Sequence, residues 1–85
     1  MDVTIEHFGD YSEVRLKGMS FYSHGDERNF FFLLDAMHVQ VWAHPEVIEI
    51  AISKHLAVWQ REELRALFRR YSIPLDAIQK LIEIE

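Results

Sequence analysis

Hydrophobic and polar residues alternate along two stretches near the N-terminus, residues 2–8 and 11–18. The alternate positions hold branched aliphatic side chains: Val3, Ile5, Val14 and Leu16. A period of two is typical of a β-strand with one buried face. Gly9 follows the first stretch directly, and glycine at the first central position of a two-residue loop predicts a type II′ hairpin turn. That turn would pair Ile5 with Val14.

From residue 26 the spacing becomes helical. One apolar stripe at i, i+3, i+4 and i+7 is formed by Phe30, Leu33, Leu34 and Met37. Asp26 is a suitable N-cap, and Glu27 adds negative charge at the positive end of the helix dipole. Residues 29–34 include three consecutive phenylalanines and also fit a buried strand, but the cap favours a helix that ends at about Met37.

Alternation returns at residues 39–42 and 47–53, which predicts a second hairpin. The intervening residues 43–46 contain a proline, so we expect a four-residue loop rather than a two-residue turn. With Trp42 opposite Val47, the pairing again sets apolar residues against one another.

Two helices are predicted to close the chain. Residues 60–71 carry an apolar stripe formed by Leu64, Leu67, Phe68 and Tyr71. Pro74 suits the first position of a final helix. Residues 54–59 fit either an extension of the last strand or the approach to a helix. The predicted order is ββαββαα: a single α+β domain over residues 1–85, with a four-stranded antiparallel sheet of two β-hairpins and three helices.

Composition narrows the classes of function. Hydrophobic residues make up 49% of the 85 residues, which is rich for so small a domain, so we expect a protein partner or a second copy of the chain to cover part of the surface. The net charge of −5, concentrated in residues 1–58, favours a basic partner and argues against a general nucleic-acid binder. The chain has no cysteine, no apolar run long enough for a membrane span and no recognisable secretion signal. We therefore expect a cytoplasmic protein.

Arginines supply the alternative hypothesis. Arg61, Arg65 and Arg69 lie at i, i+4 and i+8, so a helix would align them as a ridge. Guanidinium groups on such a ridge can bind phosphates of a nucleic acid or carboxylates of a protein. The competing interpretation is an ordinary solvated helix face that pairs with local acids.

The remaining chemistry-bearing residues have simpler explanations. Histidines at 7, 24, 38, 44 and 55 show no i, i+4 pair, so we predict no metal site, and only His44 and Glu46 would approach one another at a hairpin tip. The run Ser23-His24-Gly25-Asp26 fits helix capping better than a catalytic triad.

The two tryptophans complete the candidates for binding. Trp42 and Trp59 suit either an interface or packing beneath the last helices. With no catalytic or cofactor-binding motif, we expect a non-enzymatic protein-interaction module such as an inhibitor, immunity-type protein, adaptor or regulatory subunit. Its expected contacts are Trp42, Trp59 and the arginine ridge.

Overall fold

The computed structural model describes residues 1–74 and 76. In these residues, four antiparallel strands and two helices form an α+β domain. The strands are β1 (Asp2–His7), β2 (Tyr11–Lys17), β3 (Gln40–Ala43) and β4 (Val47–Ser53), and the helices are α1 (His24–Ala36) and α2 (Val58–Arg70). The third helix predicted from Pro74 onward lies outside the described residues.

The strands are arranged in the order β1-β2-β4-β3, so the second strand of each hairpin pairs at the centre of the sheet. The central pairing sets Val14 opposite Ile50 and Leu16 opposite Ile48. One face of the sheet is therefore aliphatic, and both helices contribute to the same core. That core includes Val14, Leu16, Ile48, Ile50, Ile52, Phe30, Leu34, Leu64, Leu67 and Phe68.

The first hairpin has the predicted register, with Ile5 opposite Val14 and Val3 opposite Leu16. The predicted type II′ turn is wrong. That turn requires a positive φ at Gly9, and among the described residues positive φ occurs at Gly18, His38 and Ser72. Aliphatic pairing and the Phe8 N–H···O=C Tyr11 bond of 2.9 Å fix the register without it.

The second hairpin is displaced by two residues from the predicted register. Val41 pairs with Ile50 rather than Ile48, because the turn is tighter than expected. The His44 N–H donates to the Val47 carbonyl at 2.9 Å, which leaves Pro45 and Glu46 as the central residues. Proline fits the first central position of a tight turn, since its fixed φ matches that position. A shift of two residues keeps every side chain on its predicted face.

The helix α1 confirms the helical interpretation of residues 29–34, but its predicted cap is wrong. Ser23 is the N-cap, and its hydroxyl accepts from the Asp26 N–H at 3.1 Å. Asp26 instead lies in the first turn, where its carboxylate accepts from the Tyr22 N–H at 3.3 Å. The helix α2 begins at Val58, two residues before the predicted start, and Gln60 Oε1 accepts from the Ala57 N–H at 2.8 Å.

Both helices end in a Schellman motif with a residue other than glycine in the left-handed region. At the end of α1, His38 has φ of 60°, and the Val39 N–H donates to the Leu34 carbonyl at 3.1 Å. At the end of α2, Ser72 has φ of 56°, and the Ile73 N–H donates to the Phe68 carbonyl at 2.8 Å. The motif uses Val39 to close α1, so β3 begins at Gln40 rather than at the predicted Val39.

Candidate functional site

The strand side chains that point away from the helices form what we call the outer face. Its members include Glu6, Tyr11, Glu13, Arg15, Lys17, Trp42, Glu49 and Ala51. All of these are exposed or half-buried, whereas the residues that alternate with them on β2 and β4 are buried in the core. The outer face is thus the open side of the sheet among the described residues.

Arg15 organises the charges of the outer face. Its guanidinium contacts three carboxylates, with N–O distances of 3.2 Å to Glu6, 3.3 Å to Glu13 and 3.5 Å to Glu49. The hydrogen bond that Arg15 donates to Glu6, followed by the charge of Glu13, raises the pKa of Arg15 above its ordinary value. Glu6 and Glu13 pair directly across the hairpin, so Arg15 offsets a repulsion that the register imposes.

The outer face is acidic in sum. On its four strands, the acids Asp2, Glu6, Glu13 and Glu49 face two bases, Arg15 and Lys17. His44 also approaches Glu49, with Nε2 at 3.7 Å from the carboxylate oxygen. His44 was expected to approach Glu46 in the hairpin tip, but the tight turn directs it toward Glu49 instead.

Aromatic side chains accompany these acids at one end of the outer face. Tyr11 is 41% exposed and stacks on Phe8, with ring centroids 4.9 Å apart. Trp42 is 46% exposed on the edge strand β3. Between Tyr11 and Trp42 the central strand carries the small side chain of Ala51, so the surface dips there.

We call this depression the Tyr11–Trp42 groove, and it has a volume of about 590 Å³. Its lining includes Asp10, Tyr11, Glu13, Gln40, Trp42 and Ala51. Two carboxylates and two aromatic rings therefore border one groove. This combination suits a cationic side chain, which is attracted by carboxylates and by the faces of aromatic rings.

The predicted contact residues are not brought together. Trp42 belongs to the outer face, and its exposure contradicts packing beneath helices. Trp59 is 51% exposed on the first turn of α2, which packs on the other side of the sheet. The two tryptophans therefore belong to separate surfaces.

The arginine ridge is only partly open to solvent. Arg61 and Arg65 are half-buried and interact with other groups of the chain, while Arg69 is exposed. The regular spacing on α2 is present, but half-burial reduces the surface that two of the three guanidinium groups offer a partner.

Sequence reasoning missed a contact between His7 and Ser12. The His7 Nδ1 lies 2.8 Å from the Ser12 hydroxyl, and Ser12 is fully buried on the core side of β2. Their pairing across β1 and β2 follows from the first hairpin register, which was predicted correctly. The full burial of Ser12 favours a structural role for this hydrogen bond within the first hairpin.

Among residues 1–74 and 76, no three histidine or carboxylate side chains converge as metal ligands. Neither of the two helices in this part of the chain has the length and apolar character needed to cross a membrane. No protein-family model, curated protein sequence or solved structure matches the chain.

Proposed function

We propose that this protein is a small, non-enzymatic interaction module that binds a basic partner protein through its outer face. The Tyr11–Trp42 groove is the observation that supports this proposal most directly, because two aromatic residues and two acidic residues, Asp10 and Glu13, line it. A lysine or arginine side chain of the partner is the group that fits this chemistry.

Charge favours a basic protein over a second copy of this chain. In a symmetric dimer formed by the outer face, the acidic surface would meet itself, and like charges would oppose association. A basic partner would instead be attracted at long range, which raises the association rate. Whether binding inhibits, recruits or regulates depends on which partner is bound.

The same charge distribution distinguishes this proposal from nucleic-acid binding. The outer face would repel phosphates, and Arg61 and Arg65 are half-buried and engaged within the chain. Nucleic-acid binding therefore depends chiefly on Arg69 and Arg70, which are exposed.

A lysine- and arginine-rich peptide provides the test, with the same peptide carrying glutamine at the basic positions as its control. In a Trp59→Phe background, Trp42 is the sole tryptophan and reports occupancy of the groove by its fluorescence. We expect saturable binding of the basic peptide, weakened by added salt, and none of the glutamine peptide.

Two matched substitutions locate the contact, and calorimetry measures the peptide affinity of each variant. Trp42→Ala should weaken binding by about 30-fold or more, the loss expected for an interface hot spot. Trp59→Ala removes a tryptophan of similar exposure from the other side of the molecule and should leave affinity unchanged. Equal losses in both variants would contradict the proposal. So would binding of a single-stranded oligonucleotide that is abolished by Arg69→Ala/Arg70→Ala.

A further inference from the structure

A second, smaller pocket of about 280 Å³ lies where the C-terminal ends of β1 and β4 meet the start of α2. It is lined by His7, Ser12, Ile52, Ser53, Lys54, Leu56 and Arg61. Leu56 and Arg61 bracket the first turn of α2, so the positive end of that helix dipole adjoins the pocket.

The charged residues that line this pocket are all positive among the described residues. Lys54 and Arg61 are cations, and no acidic residue is among the described side chains that line it. This contrasts with the net charge of −5 for the whole chain and with the acidic outer face. A cleft lined by charges of one sign concentrates the opposite charge, so this pocket attracts anions.

The neutral polar groups of the pocket are able to act as donors. The Ser53 hydroxyl oxygen accepts from the His55 N–H at 3.0 Å, which leaves its own O–H to donate elsewhere. The buried Ser12 hydroxyl lies 2.8 Å from His7 Nδ1. When Ser12 donates to Nδ1, the imidazole carries its proton on Nε2 and presents that N–H as a further donor.

We propose that this pocket binds a phosphate group, either free or as a monoester of a small metabolite. Lys54 and Arg61 supply the charge, and the Ser53 hydroxyl and the His7 ring supply hydrogen bonds. The donors of Lys54, Ser53 and His7 lie on three separate side chains, which matches the several oxygens of a tetrahedral phosphate better than the two oxygens of a planar carboxylate.

An adjacent acidic residue and an existing interaction of Arg61 could each compete with a ligand in this pocket. The Lys54 N–H donates to the Asp10 carbonyl at 2.9 Å, so Asp10 is adjacent, but Asp10 lines the Tyr11–Trp42 groove and not this pocket. Arg61 already interacts within the chain, so it contributes charge to the pocket rather than a donor reserved for the ligand.

The test is a titration of the intact chain with inorganic phosphate at constant ionic strength, in which two-dimensional NMR monitors the amide chemical shifts. We expect saturable shifts at the amides of His7, Ser53 and Lys54. Parallel titrations with acetate and with adenosine monophosphate distinguish the possible ligands. Binding of the nucleotide that is tighter than binding of inorganic phosphate would identify a phosphate monoester as the ligand, and equal binding would identify the phosphate group alone as the part that is recognised.

Two exposed lysines provide the matched variants. Lys54→Gln should weaken phosphate binding by about tenfold or more, the loss of one charge-assisted contact. Lys17→Gln removes the same charge from the far end of β2 and should leave binding unchanged. The absence of saturable shifts, equal saturation by acetate, or an unchanged affinity in Lys54→Gln would overturn the proposal.

Discussion

The phenol of Tyr71 donates a hydrogen bond of 2.8 Å to the Asp26 carboxylate and thereby ties the end of α2 to the first turn of α1. The same hydroxyl lies 3.1 Å from the Asp26 backbone carbonyl. The Tyr71 ring packs edge-on against Phe21 and Phe30, with centroids 5.8 and 5.0 Å away. Polar and aromatic contacts of one side chain therefore join the two helices on the core side of the sheet.

Removing this hydroxyl should destabilise the fold without disturbing the aromatic packing. Tyr71→Phe keeps the ring against Phe21 and Phe30 and deletes the bond to Asp26. We expect the free energy of unfolding to fall by about 1 kcal/mol, the usual contribution of such a bond. Urea denaturation followed by circular dichroism measures the change, and Tyr22→Phe, which alters a fully exposed tyrosine, is the control. A loss as large in Tyr22→Phe would contradict the assignment.

The same contact predicts a sensitivity to alkaline pH. Burial, and then the hydrogen bond to Asp26, raises the pKa of Tyr71 above its ordinary value. The unfolded chain therefore loses the Tyr71 proton first, so the stabilisation is complete below the ordinary tyrosine pKa of about 10 and is lost as pH rises toward the folded-state pKa. The stability difference between wild type and Tyr71→Phe should narrow over that range. Denaturation midpoints at a series of pH values test this, and a constant difference would refute it.

The charges around Arg15 predict a salt-dependent stability. Arg15→Gln leaves Glu6, Glu13 and Glu49 close together without their shared cation. We expect a lower unfolding temperature at low ionic strength and a smaller deficit at about 1 M NaCl, where the Debye length is about 3 Å. Arg28→Gln makes the same charge change at an exposed position of α1 and should show no such salt-dependent recovery.

The strands were largely predictable because their side-chain pattern is local. Alternation identified the faces of all four strands, and apolar pairing gave the register of the first hairpin even though its predicted turn was wrong. The predicted register of the second hairpin was wrong by two residues because Pro45 lies inside a tight turn. Aliphatic alternation fixes the faces of the two strands but does not determine the length of the loop between them.

The candidate site was less predictable because it depends on strand order. Trp42 was recognised as a residue for binding, but it lines the groove together with Tyr11 and Glu13, which are distant along the chain. They meet because β2 and β3 flank the same strand, β4. The pairing of β2 with β4 is a contact between hairpins, and no turn between them encodes it. The Arg15 cluster was missed for the same reason, since Glu49 reaches it across that pairing.

Because Ala51 has a small side chain, a larger residue at this position should fill the Tyr11–Trp42 groove. Ala51 is half-buried on the outer face of the central strand β4, between Glu13 and Gln40. Ala51→Leu adds a branched side chain that should fill the groove while β4 keeps its core side chains. Because the added group projects from the outer face, we expect stability to change by no more than about 0.5 kcal/mol. Binding of the basic peptide should be lost although every acidic and aromatic residue is retained. Fluorescence titration of the variant measures this, and unaltered binding would show that charge on the outer face, rather than the groove, recognises the peptide.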